Sequence, residues 1–255
     1  EGREDMAAVP DALWPWGTPA NAPQSYGFPT SRMTVAQGLA ELGLDQAMMC
    51  GMLPPSEDEY LRVHRCRRIL WEMSFEEGFG FERPLEPIAK LHRAHPNVVG
   101  VLLDDFSTTE IKKGAQPELL ARMRRYMPGS MQLWLVIYSM SLGIPNLPQY
   151  LRHADGISFW VWDPKDLAQL PQSVRRCNEL SAGMPMILGL YLYDFSGNKP
   201  LSCEQMERQV LAAMQLLRKG ECAGLCLLGS SVMDIGLETV DWTKKWIKGC
   251  GAERL

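Results

Sequence analysis

The sequence predicts an α/β protein folded as a single (β/α)8 barrel, a TIM barrel, spanning residues 1–255 as one catalytic domain. Three observations lead there. Eight short apolar runs alternate with eight amphipathic, helix-like segments. The runs are nearly continuous in their apolar character, as expected of parallel strands covered on both faces. A length of 255 residues is ordinary for such a barrel taken as one unit. An open doubly wound sheet is the rival architecture, but no GxGxxG turn follows the first strand to support it.

The elements read as follows. "ALWPWG" (12–17) is the first strand, with Pro15 removing a ladder donor unless it stands at a strand end. "MTVAQGLAELGL", with Gly43 where a helix C-terminus is expected, leads to the second strand "QAMMCGML" (46–53), whose methionines read as core packing. "EDEYLRVHRC" precedes "RILWEMSF" (68–75), and "RPLEPIAKLHRAH" precedes "VVGVLLDDF" (98–106). "PELLARMRRYM", opening on Pro117 in a first helical turn, leads to "QLWLVIYS" (132–139). "NLPQYLRHA" precedes "GISFWVWD" (156–163). "DLAQLPQSVRRCNELSAG" and "CEQMERQVLAAMQLLRKG", punctuated by Gly183 and Gly220, precede "MILGLYLYD" (186–194) and "GLCLLGSS" (224–231). "LETVDWTKKWIKG" closes the series. Strand-then-helix repetition of this kind implies right-handed crossovers between parallel neighbours.

Composition excludes several classes. The chain is 46% hydrophobic and 22% charged, ordinary for a packed globular domain. Net charge is −4, and the basic residues are scattered apart from Arg65/Arg67/Arg68 and Arg122/Arg124/Arg125, so no nucleic-acid partner is expected. No apolar run reaches the roughly 18 residues of a membrane span, so no membrane partner is expected either. The seven cysteines are odd in number and contain no CxxC, and Cys50 and Cys226 lie inside apolar runs, which argues against a disulfide framework. The sequence begins at Glu1 rather than Met; a secreted or periplasmic location is expected if a leader was removed, a cytoplasmic one otherwise.

In a barrel of this kind the site is assembled at the C-terminal ends of the strands. The third strand ends on Trp71 and Glu72, followed by a loop with Glu76 and Glu77. The fourth ends on Asp104 and Asp105, followed by Ser107, Thr108, Thr109 and Glu110. The fifth supplies Tyr138 and Ser139, the sixth Trp160, Trp162 and Asp163, the seventh Tyr191, Tyr193 and Asp194, and the eighth Ser230 and Ser231. Strand alternation places Ser158, Trp160 and Trp162 on one face, Gly189, Tyr191 and Tyr193 on one face, and Gly100, Leu102 and Asp104 on one face. Asp104 is then the more central aspartate, with Asp105 able to reach the mouth through strand twist.

The four histidines, His64, His92, His95 and His153, all fall in helical segments or just before strands. That placement speaks against zinc-hydrolase and Ser-His-Asp chemistry. No lysine lies inside a strand for a Schiff base, and no Gly-rich anion nest follows the seventh or eighth strand. What remains is carboxylates among tryptophans and tyrosines. Sugars stack their C–H faces on aromatic rings and hydrogen-bond their hydroxyls to carboxylates, and glycoside hydrolysis needs one protonated and one ionised carboxyl. Adjacent, partly buried acids push one pKa upward and so supply the protonated member.

On "GVLLDDF", with "FWVWD" and "LYLYD" in support, the chain resembles glycoside-hydrolase-type (β/α)8 barrels. The resemblance implies a catalytic carboxylate at the end of the fourth strand, Asp104 or Asp105, with a second acid from Glu72, Asp163 or Asp194. Trp71, Tyr138, Trp160, Trp162, Tyr191 and Tyr193 would then bind a carbohydrate substrate, with no cofactor or resident metal. The chitinase-like series of alternating acids and the Asn-Glu pair of many retaining barrels are both absent. Two other functions fit the same residues: a divalent-metal lyase or isomerase on sugars or sugar acids, with Glu72, Asp104 and Asp105 as oxygen ligands, and a non-catalytic sugar-binding barrel. Structural roles compete at two positions: Asp163 precedes Pro164 in a helix-start context, and Asp194 precedes the turn-like "FSGNKP".

Overall fold

A computed structural model describes residues 8–22, 27–250 and 253 of the chain. Eight parallel strands close into a barrel: β1 (Leu13–Gly17), β2 (Gln46–Met49), β3 (Arg68–Glu72), β4 (Val98–Leu103), β5 (Gln132–Tyr138), β6 (Gly156–Trp160), β7 (Met186–Tyr191) and β10 (Gly224–Leu228). Neighbours follow chain order around the ring, and β10 closes it between β7 and β1. A short antiparallel hairpin of β8 (Tyr193–Asp194) and β9 (Lys199–Pro200) stands outside the barrel ladder. The helix layer is α1 (Val35–Leu42), α2 (Glu57–Val63), α3 (Glu82–Ala94), α4 (Pro117–Tyr126), α5 (Leu147–Leu151), α6 (Leu170–Leu180), α7 (Cys203–Arg218) and α8 (Glu238–Gly249). The fold is the single (β/α)8 barrel that the sequence predicts.

Local chemistry explains the joints. Thr34 and Gln37 form a reciprocal capping box at the start of α1, and Gly43 ends that helix in the left-handed region at φ 66°. Ser202 and Gln205 start α7 in the same way. Pro15 is tolerated inside β1 because β2 joins β1 only from Trp16 onward. All seven cysteines are free. Among the described residues, no helix is long and apolar enough to cross a membrane.

Strand alternation sets the barrel interior. Large inward side chains face glycines on the next strand: a Cβ on Gly156 would fall 2.6 Å from the Trp134 ring, and one on Gly189 would fall 2.0 Å from Trp160 Cε3. Lower down, the Arg68 guanidinium lies 5.0 Å from the centre of the Trp14 ring. Trp14, Trp134 and Trp160 thus help to fill the barrel interior.

The strands are shorter than the apolar runs suggest. β4 stops at Leu103, β6 at Trp160 and β7 at Tyr191, so Asp104, Trp162, Asp163, Tyr193 and Asp194 all lie beyond the ladder. Their orientation is set by the loops rather than by the pleat.

Candidate active site

A cavity of about 480 Å³ opens at the barrel mouth, within the ~300–1,000 Å³ usual for small-molecule sites. One wall is aromatic. Trp16 meets Trp160 edge-on with ring centres 5.3 Å apart, Trp160 lies 4.9 Å from Tyr191, and Phe195 lies 5.5 Å from Tyr191. Trp162 bridges this wall to the opposite side, 6.2 Å from both Phe195 and Tyr138. The facing wall carries Asp104, Asp105, Thr108 and Lys112.

The two aspartates are held differently. Asp104 leaves the end of β4, and its Oδ1 accepts the backbone N–H of Asp105 at 2.8 Å. Burial pushes its carboxyl well above the usual carboxylate range, and the charges of Asp105, Glu72 and Glu110 push the same way against that one hydrogen bond. Asp105 takes the left-handed conformation at φ 50°, which Asp tolerates better than most residues and which clusters at functional sites. Its carbonyl accepts the N–H of Thr108 at 2.9 Å and of Thr109 at 2.8 Å, and the Thr109 hydroxyl at 2.7 Å, which pins the backbone there. The Tyr138 hydroxyl donates to Asp105 Oδ1 at 2.8 Å. Burial, then the nearby Tyr191, Asp104 and Asp105, raise the Tyr138 phenol far above its ordinary value, so it stays a neutral donor.

Glu72 points inward from β3 but does not line the cavity. Its carboxylate accepts the Gly51 N–H and the Ser74 hydroxyl, the latter at 3.2 Å, while burial raises its pKa against those bonds. It reaches Asp104 as a neighbouring like charge. Among the described residues, no group of three His, Cys, Asp or Glu side chains is arranged to hold a metal ion, so Glu72, Asp104 and Asp105 do not form the predicted ligand set.

Of the expected site residues, Asp104, Asp105, Tyr138, Trp160, Trp162 and Tyr191 meet at the cavity, and the other five, Glu72 and four more, stand elsewhere. Trp71 is fully buried and its Nε1 donates to the Met52 carbonyl at 3.2 Å, because Leu70 and Glu72 take the inward positions of β3 and turn it toward the helix layer. Tyr193 leaves the Tyr191 face because β7 ends between them, and it packs 5.0 Å from Phe28 and 5.3 Å from Phe195. Asp163 caps the short helical turn Pro164–Gln169, accepting the Lys165 N–H at 3.0 Å and pairing with its ammonium at 2.6 Å. Asp194 organises a turn, accepting the Ser196 hydroxyl and the Gly197 N–H at 2.8 Å each. The structural roles weighed for Asp163 and Asp194 are the ones they fill.

Sequence reasoning missed Trp16, Thr18, Lys112, Met140, Phe195 and Leu228. Trp16 was within reach: it stands near the end of a strand, and alternation places it on the same face as Trp14. Lys112 carried no such signal.

No family model and no curated protein sequence matches the chain. Solved structures do. The glycoside hydrolase family 17 beta-1,3-glucanosyltransferase of Rhizomucor miehei is similar with a TM-score of 0.61 at 9% identity, over 86% of this chain and 87% of that one. A Bacteroides thetaiotaomicron protein assigned as an alpha-L-fucosidase gives a TM-score of 0.60 at 9% identity, over 99% of both chains. Glycoside hydrolases are prominent among the similar barrels, but an aldolase also matches, with a TM-score of 0.50 at 10% identity over 95% of this chain and 97% of that one. At these identities the likeness establishes the fold.

Proposed function

We propose that the protein is a carbohydrate-active enzyme, a glycoside hydrolase with Asp104 as general acid and Asp105 as the carboxylate that acts at the anomeric carbon, directly or through a water molecule. The observation that carries this is the unequal pair: two adjacent carboxyls line one aromatic-walled cavity, and their surroundings differ. Burial and then the neighbouring like charges raise the Asp104 pKa, which favours the protonated form that can give a proton to a leaving oxygen. Asp105 is oriented by the Tyr138 hydroxyl and by its pinned backbone. Trp16, Trp160, Trp162 and Tyr191 offer ring faces and edges for the sugar C–H surface. Sugar hydrolases among the similar barrels agree with this reading.

Leaving-group dependence separates the two roles. Asp104→Asn is expected to lose roughly 10²–10⁴-fold in kcat/KM on an alkyl glycoside, whose leaving oxygen needs a proton, and far less on a 4-nitrophenyl glycoside, whose phenolate leaves unaided. Asp105→Asn is expected to lose activity on both. Equal losses on both substrates for Asp104→Asn refute its role as acid, and full turnover in both variants refutes the reading.

A further inference from the structure

Among the described residues, Lys112 is the one cation on the cavity wall, and it makes no ion pair. Its neighbour Lys113 is engaged with Glu110 at 3.3 Å, whereas Lys112 lines the cavity. Burial acts most strongly on Asp104, and the charges that act on it beside burial are the carboxylates of Asp105, Glu72 and Glu110.

Its mounting is firm. The turn after β4 is tied by Thr108 and Thr109 to the Asp105 carbonyl, by Lys113 N–H to the Thr109 carbonyl at 2.9 Å, and by Ala115 N–H to the Glu110 carbonyl at 2.9 Å. Thr108 and Lys112, four residues apart, share the face of this turn that looks into the cavity. One ordered segment thus carries both a carboxylate at the reacting position and a cation displaced from it. A neutral sugar would leave that cation to water; an anionic sugar would use it.

We infer that Lys112 forms an anion subsite, so that the sugar entering this cavity carries a carboxylate or a phosphate ester. The inference rests on the carbohydrate reading and sharpens it to acidic sugars. A lysine presents a point charge rather than a planar fork, so it accepts either anion, and the binding arms must separate them.

The test is equilibrium binding to the full chain, followed by quenching of the cavity tryptophans. Probes are matched sets of hexose, hexuronate and hexose 6-phosphate in the gluco, galacto and manno configurations. At least one anionic sugar is expected to bind about tenfold more tightly than its neutral parent. Lys112→Met is expected to erase that preference and Lys112→Arg to keep most of it, and salt at about 1 M, where the screening length is about 3 Å, is expected to reduce it. The hexuronate and phosphate arms then say which anion is read.

The inference is overturned if neutral sugars bind as well as both anions, if Lys112→Met retains the preference, or if no probe binds. Lys112 is exposed, and thermal melts of both variants check that the fold is unchanged. If the anion preference fails while Asp105→Asn still abolishes turnover of neutral aryl glycosides, only the subsite falls. If that turnover is absent as well, the glycosidase reading falls with it.

Discussion

Asp104→Asn is expected to make the protein more stable at neutral pH while lowering its activity on alkyl glycosides. The amide keeps an oxygen to accept the Asp105 N–H, now at 2.8 Å, so the hydrogen bond survives. What disappears is a buried ionisable group facing the charges of Asp105, Glu72 and Glu110. The folded-state pKa of Asp104 lies above its unfolded value of roughly 3.9. Between those two values the native state binds more protons than the unfolded state, so wild-type stability falls as pH rises through that window. Asparagine does not titrate. Its advantage over aspartate is therefore smallest near pH ~4, grows with pH, and levels off above the folded pKa of Asp104. Single stabilising substitutions commonly yield about 0.5–2 kcal/mol. For a chain near this size each kcal/mol moves Tm by about 2–4 °C, so the expected gain at neutral pH is a few degrees. Calorimetric melts of both proteins from about pH 4 to pH 8 measure it. A lower Tm for the variant at neutral pH, or a gain that is the same at every pH, refutes the picture of an acid held protonated by its surroundings.

Glu72→Gln removes one of the like charges that raise the Asp104 pKa, so the basic limb of kcat/KM against pH should move to lower pH; an unmoved limb means the two acids are not coupled. Gly189→Ala would place a Cβ 2.0 Å from Trp160 Cε3, while Trp160 is held by its Nε1 bond to Ser158 Oγ at 2.8 Å and cannot retreat freely. A loss of about 1–3 kcal/mol in urea melts, with weakened sugar binding, is expected, and an unperturbed variant would show that the wall is not closely packed. Asp163→Ala should lower Tm through loss of the cap at Pro164 while leaving kcat/KM within about twofold, and a large loss of activity would return Asp163 to the site.

The fold was readable because a parallel strand covered on both faces writes itself as an uninterrupted apolar run. The strand ends were not readable for the same reason. Val161 and Leu192 are off the ladder yet buried, since the loops at the mouth cover the barrel top, so the apolar signal continues after the hydrogen bonding has stopped. Alternation worked inside the ladder, where it placed Trp160 and Tyr191 correctly, and lapsed one residue past its end at Tyr193. Trp71 shows a different failure: its position near a strand end suggested the mouth, but the pleat had already assigned the inward place to Glu72. Lys112 was invisible because a charged residue in a polar turn is the ordinary case, and only the closed barrel shows which way that turn faces.

The aspartate pair follows from the strand that carries it. Val98, Val101, Leu102 and Leu103 are buried, and β4 ends at Leu103. A carboxyl at that point loses solvation because of where β4 ends, and the first residue after the strand is Asp104. The next residue, Asp105, is left-handed, and its carboxylate is in reach of the Tyr138 hydroxyl on the adjacent strand. Two identical side chains, one residue apart, are thereby given different hydrogen-bond partners. The acid role proposed for Asp104 and the second role proposed for Asp105 rest on that difference, which begins where the buried strand ends on two carboxylates.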